Sequence, residues 1–234
     1  MKQRQLNYFN RNLFTATIGA VLIILISSCT PSSQNQVSIL ENSNCDLPCW
    51  NNIVPGKTSE KDAIEIISNL AIVNKNSVNI LNEHWNTFDS RVTFSLNGTK
   101  GISEIYTGGG IVKSLWVCDN LNTTIGDITA RIDEPEIIIS GGSIAGGRDV
   151  ILINRTRGVS YFYNTDGLSK EVEFEIMPEV LVECLILFDP TFFIELMDAG
   201  MFSMGHYNAE ETLRVMYPWS GYGNLDNKYP PRQP

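Results

Sequence analysis

Thr58 and Thr124 stand 66 residues apart, and the same order of patterns follows each of them. After Thr58 or Ser59, the residues Ala63, Ile64, Ile66, Ile67, Leu70 and Ala71 recur at steps of three and four, which predicts a capped helix with one buried stripe. After Thr124, Ile125, Ile128 and Ile132 share one face, Asp127 takes the capping-box position, and Glu134-Pro135 ends the helix. Strand patterns succeed each helix. Arg91 to Leu96 alternates, Asn97-Gly98 offers a two-residue type I′ turn, and Gly101 to Tyr106 returns. The glycines Gly108 to Gly110 read as a bulge or turn before the apolar strand Ile111 to Cys118, which contains Trp116. In the second half, strands are expected at about 136–140, 149–154, 158–164, 171–176 and 180–188, with helical patterns over 191–199 and 209–216. The predicted fold class is α+β. It comprises two consecutive helix-plus-antiparallel-meander units, at 45–120 and 121–223, with short C-terminal helices in the second and a disordered tail at 224–234. A chain of 234 residues that is 43% apolar can fill such cores.

The N-terminus has a different character. Lys2, Arg4 and Arg11 precede the apolar run Ala20 to Ile26, and Ser27-Ser28 lead to Cys29, giving the three regions of an export signal. Thr15, Thr17 and Gly19 interrupt the apolar stretch, leaving it short of the ~20 residues of a membrane span. Ile26-Ser27-Ser28-Cys29 resembles the lipobox of bacterial lipoproteins. That resemblance implies cleavage after residue 28, diacylglycerol on the Cys29 thiol, further acyl chains such as palmitate, and an extracytoplasmic domain anchored to the cell membrane or envelope by lipid. Residues 29–44, rich in Ser, Asn and Gln, read as a flexible tether. Removal of residues 1–28 takes away three basic residues and no acidic one, so the net charge moves from -9 to -12. With 26 acidic against 17 basic residues at the outset, the basic footprint of a nucleic-acid binder is missing.

Four cysteines remain once Cys29 is lipidated, and export makes a disulfide framework the expectation. Cys45 and Cys49 lie four residues apart across Pro48, close enough to bridge. Cys118 and Cys184, each in an apolar run, are then either a second pair or two buried free thiols. Zinc would require four N or S ligands, and the chain has only two histidines, His84 and His206, neither close in sequence to the C-x3-C pair. No metal site is expected.

The helix-then-meander order, with Ile53 to Thr58 and Thr124 to Pro135 as its key phrases, resembles the SmpA/OmlA (BamE-like) envelope lipoproteins. It is similar also to β-lactamase inhibitor proteins, which are built from two such units. The family pattern has a Gly-x-Pro at the end of the helix, whereas this chain has Asp133-Glu134-Pro135, and the first helix lacks the proline. Cys45 to Trp50 together with Ile53 to Gly56 also resembles a phrase of uncharacterised predicted bacterial lipoproteins.

A catalytic constellation is not legible. Neither histidine stands in a nucleophile motif, and neither Gly-x-Ser-x-Gly nor Ser-x-x-Lys occurs. Gly141 to Gly147 lacks the Lys-Ser/Thr of a phosphate loop, so no cofactor is expected. Glu171, Glu173 and Glu175 alternate with Val172, Phe174 and Ile176, which predicts a strand with an acidic, solvated face. Tyr217, Trp219 and Tyr222, set among Gly and Pro, are candidate partner-binding residues, or else they cap the end of a sheet. The reading that follows is a non-enzymatic, lipid-anchored envelope protein that binds a protein partner or small ligand through a sheet face. The alternative is a secreted enzyme or substrate-delivery lipoprotein whose site gathers scattered polar residues.

Overall fold

Two helices with N-cap hydroxyls organise the front of the molecule. In the computed structural model of the chain, the described residues are 40, 45–82, 87–118, 121–142, 148–165, 174–202 and 209–230, and all belong to one compact unit, Gln36–Pro234. Ser59 caps α1 (Glu60–Asn69) by accepting a hydrogen bond from the Asp62 amide at 3.1 Å. Thr124 caps α2 (Ile125–Ile132) in a full capping box with Asp127. Each helix buries one stripe: Ala63 and Ile67 in α1, Ile125, Ile128 and Ile132 in α2.

The strands β1 (Asn79–Leu81), β2 (Ser90–Phe94), β3 (Ser103–Gly108) and β4 (Ile111–Cys118) follow α1 as an antiparallel meander. After α2 come β5 (Ile137–Gly142), β6 (Arg148–Asn154), β7 (Val159–Asn164), the short β8 (Glu175–Ile176) and β9 (Cys184–Phe188). The helices α3 (Phe193–Asp198) and α4 (Ala209–Val215) lead to β10 (Met216–Pro218), β11 (Gly223–Asn224) and α5 (Leu225–Lys228). Among the described residues nine strands form one sheet in the order β1-β2-β3-β4-β9-β7-β6-β5-β10. The two halves therefore meet at β4 and β9, and from that seam each runs outward through its own meander. The seam pairs Ser114 with Phe188 and Cys118 with Cys184. The α+β class is as the sequence predicts, and the two units share one continuous sheet.

Burial follows the coverage of that sheet. The front core joins α1, α2, Trp50 and Ile53 to Val92, Ile105, Leu115, Leu185, Tyr161 and Leu152. A back core lies under α3 and α4, with Phe193, Leu196, Met197, Phe202 and Val215 against Ile151, Ile153, Ile186 and Phe188. In β2 burial alternates, since only its front-facing residues are fully covered. In β6 every residue from Val150 to Asn154 is buried, because both faces of the second half are packed.

Three expectations are corrected by the fold. The type I′ turn is not at Asn97-Gly98. β2 and β3 close at Phe94 and Ser103, leaving a longer loop, in which Asn97 donates its side-chain amide to the Ala71 carbonyl at 2.8 Å and ties the loop to the end of α1. The two-residue turn with both φ values positive lies at Gly109-Gly110, between the paired Gly108 and Ile111. Secondly, Glu175 pairs with Asn224 in a separate two-stranded sheet rather than extending an acidic face of the main one. Glu171 and Glu173 lie outside the described residues. Thirdly, the C-terminal segment is ordered as far as residue 230: α5 forms, and Leu225 and Tyr229 are fully buried in the front core. A segment that is polar on average is held by two apolar anchors that composition averages away.

Asp133 follows α2 with φ +71° and ψ 179°. Its carboxylate pairs with Arg157 at 3.3 Å.

Candidate functional site

Cys45 and Cys49 are bonded, and so are Cys118 and Cys184. The first closes a short loop leading to Trp50, Asn51, Asn52 and Ile53, where the two asparagines have positive φ and the flanking backbones exchange hydrogen bonds of 3.0 and 2.9 Å. The second bond joins directly opposed residues on the two seam strands, so it staples one half of the sheet to the other. Cys29, His84 and His206 lie outside the described residues. Among the described residues no group of three or more His, Cys, Asp or Glu side chains is placed to hold a metal ion, and no helix is long and apolar enough to cross a membrane.

Tyr217, Trp219 and Tyr222 come together at the outer edge of the second half. Tyr217, on β10, is buried and meets Tyr229 edge to face, and its hydroxyl donates to the Pro230 carbonyl. Trp219 stacks on Tyr229 with centroids 5.9 Å apart, meets Tyr222 at 5.3 Å, and donates its indole N–H to Glu134 at 3.1 Å. The cluster therefore seats α5 against the front core. Trp219 and Tyr222 remain half-buried, each with part of its surface open to solvent.

On the back of the first half, Arg91 on β2, opposite Tyr106, reaches diagonally to Glu104 on β3 at 3.4 Å, and Tyr106 donates its hydroxyl to Glu104 at 2.5 Å. Burial, followed by the hydrogen bond to Glu104, holds the Tyr106 phenol well above the ordinary tyrosine range. Arg91 and Glu104 are partly exposed, and Tyr106 is buried beside them.

The back of the second half contains a cavity of about 360 Å³, lined by Trp116, Asp149, Ile151, Phe162, Cys184, Ile186, Gly200 and Met201. Strand register explains its floor. Cys184, Phe162 and Ile151 are successive cross-strand neighbours on β9, β7 and β6, and Trp116 and Ile186 form the adjoining row. Gly200 and Met201, just past α3, complete the lining. Asp149 is the one ionisable residue among the described residues of the lining, and it accepts a hydrogen bond from the Asn164 side chain. The buried Trp116 indole N–H has no hydrogen-bond partner among the described residues.

Sequence reasoning singled out Trp116 and, as a candidate disulfide cysteine, Cys184, but not the other lining residues. Their signal is weak yet present: Val150-Ile151-Leu152-Ile153 and Leu185-Ile186-Leu187-Phe188 are apolar at consecutive positions, which marks strands covered on both faces.

With the fold and these surfaces defined, the chain was compared with known proteins, and no family model, curated protein or solved structure matches it.

Proposed function

We propose that the chain is a lipid-anchored, extracytoplasmic envelope protein that binds a protein partner or small ligand through the back face of its antiparallel sheet, without catalysing a reaction. The observation that carries this reading is the pair of disulfides within the fold, Cys45–Cys49 and Cys118–Cys184, in a chain whose first 29 residues read as an export signal ending in Cys29. Disulfides persist in oxidising compartments outside the cytoplasm. A fold stapled twice and preceded by a polar stretch suits display from a membrane on a tether. The Arg91/Glu104 row and the neighbouring apolar cavity give the back face both polar and apolar contacts. Binding rather than chemistry is favoured because the carboxylate of the cavity is engaged by Asn164, with no nucleophile and base paired among the described residues of the lining.

The test is the Cys29→Ser chain expressed in a bacterial host beside the wild type. Wild-type protein should fractionate with membranes and carry the mass of its acyl chains, while the variant is released or keeps its leader. If the variant is processed and anchored as before, the lipoprotein reading fails. Crosslinking in intact cells then tests the face: partners captured by wild type should be lost with Arg91→Glu, and equal capture by both would remove this face from the interaction.

A further inference from the structure

The cavity on the back face differs in composition from the depression beside α1. The depression beside α1 is lined mainly by Asn51, Asn52, Asp62, Glu65 and Asn69, whereas the back-face cavity presents Trp116, Ile151, Phe162, Ile186 and Met201. Its volume of about 360 Å³ falls in the roughly 300–1,000 Å³ range of small-molecule sites. The floor belongs to the four middle strands of the sheet, pinned by the Cys118–Cys184 bond, so it is preformed rather than assembled from loops.

We propose that this cavity is a binding site for an uncharged, largely apolar small molecule carrying a hydrogen-bond acceptor. Three observations set that chemistry. The lining is dominated by apolar and aromatic side chains, which match an apolar body. One lining residue, Trp116, has an indole N–H that is buried and without a partner among the described residues, and such a donor gains when a small shift of the ring lets a ligand carbonyl or ether oxygen reach it. Among the described residues Asp149 is the one charged lining residue, and it is acidic, so an anionic ligand would meet repulsion as well as the cost of desolvating its own charge. Fatty-acid carboxylates and phosphates are thereby selected against, and neutral ketones, ethers or alcohols with aromatic or branched apolar bodies are selected for. This inference rests on the ligand-binding reading of the back face and names the class of ligand.

The experiment is photo-labelling of the full chain in non-ionic detergent with benzophenone, a neutral aromatic ketone, in parallel with 4-benzoylbenzoate, its anionic counterpart with the same two rings. Adducts are mapped by mass spectrometry. Benzophenone should label peptides containing Met201, Phe162 or Ile186 saturably, and the anion should label them about tenfold less at equal concentration. Trp116→Phe, which keeps an aromatic ring and removes the N–H, should weaken benzophenone labelling by about threefold to tenfold. Ile151→Phe, which fills the floor, should reduce it by about tenfold or more. Asp149→Asn should raise labelling by the anion relative to labelling by the neutral probe. The proposal is overturned by labelling that does not saturate at these residues, by equal labelling with the two probes, or by Trp116→Phe labelling that matches wild type. Trp116→Phe decides the matter even where Ile151→Phe does not fold. Failure here leaves membrane anchoring and partner capture untouched, whereas failure of the envelope reading appears in the Cys29→Ser fractionation.

Discussion

Removing the Cys118–Cys184 bond should cost much more stability than removing the Cys45–Cys49 bond, and the difference can be worked from loop length. The two bonds span 66 and 4 residues. A cross-link stabilises chiefly by restricting the unfolded chain, and the loop-closure relation gives about 4.4 kcal/mol for the longer span and about 1.9 kcal/mol for the shorter one. The gap, about 2.5 kcal/mol, depends only on the ratio of the spans. The perturbations are the paired changes Cys118→Ala/Cys184→Ala and Cys45→Ala/Cys49→Ala, each leaving the other bond in place. The assay is urea unfolding followed by far-ultraviolet circular dichroism, with thermal unfolding alongside. At roughly 2–4 °C per kcal/mol for a domain of this size, the midpoint should fall by about 9–18 °C for the seam pair and by about 4–8 °C for the short one. Equal losses, or a larger loss from the short loop, would refute the argument. Either result would mean that the Cys45–Cys49 bond acts on the native state, by holding the Trp50 loop against the core, more than on the unfolded chain.

Three further outcomes follow from single positions. Gly158 has φ +68°, and a Cβ built on it would lie 2.2 Å from the Phe188 carbonyl oxygen, so Gly158→Ala should destabilise the β6–β7 hairpin by more than about 2 kcal/mol, measured by thermal unfolding. The Asp127 carboxyl is held below its ordinary value of 3.8 by hydrogen bonds from the Thr124 backbone amide and then the Thr124 hydroxyl. The stabilisation is therefore present above pH 3.8 and is lost as pH falls through the lower folded-state value, and Asp127→Asn should flatten the acid limb of a stability-against-pH curve. Thr124→Ala should itself cost about 1 kcal/mol in urea. Tyr229 is fully buried between Tyr217 and Trp219, so Tyr229→Ala should cost about 3–5 kcal/mol by urea unfolding, whereas a frayed tail would show no loss.

The helices were legible because their information is local. Apolar spacing at three and four residues, a hydroxyl at the N-cap and an acid three positions on specify α1 and α2 whatever surrounds them, and both are found with those caps. The Cys45–Cys49 bond was legible for the same reason, since four residues of chain keep the two thiols close. The second bond was left open because its span is 66 residues, and only the pairing of β4 with β9 puts Cys118 opposite Cys184. The turn chemistry misled at Asn97-Gly98: the dipeptide favours a type I′ turn, but anchoring of Asn97 to Ala71 demands a longer loop, and the tight turn moves to Gly109-Gly110.

The cavity was the least legible feature. Its lining is contributed by four strands and by the segment after α3, residues from 116 to 201 in the chain, and no short window contains more than two or three of them. What the sequence conveyed there was only that β6 and β9 are apolar on both faces. Which residues meet in a given row depends on antiparallel register, and register is a property of paired strands rather than of either strand alone. The repeated helix-and-meander pattern thus set the class of fold, while the joining of two meanders edge to edge at β4 and β9 created the continuous back face, the stapled seam and the cavity upon it.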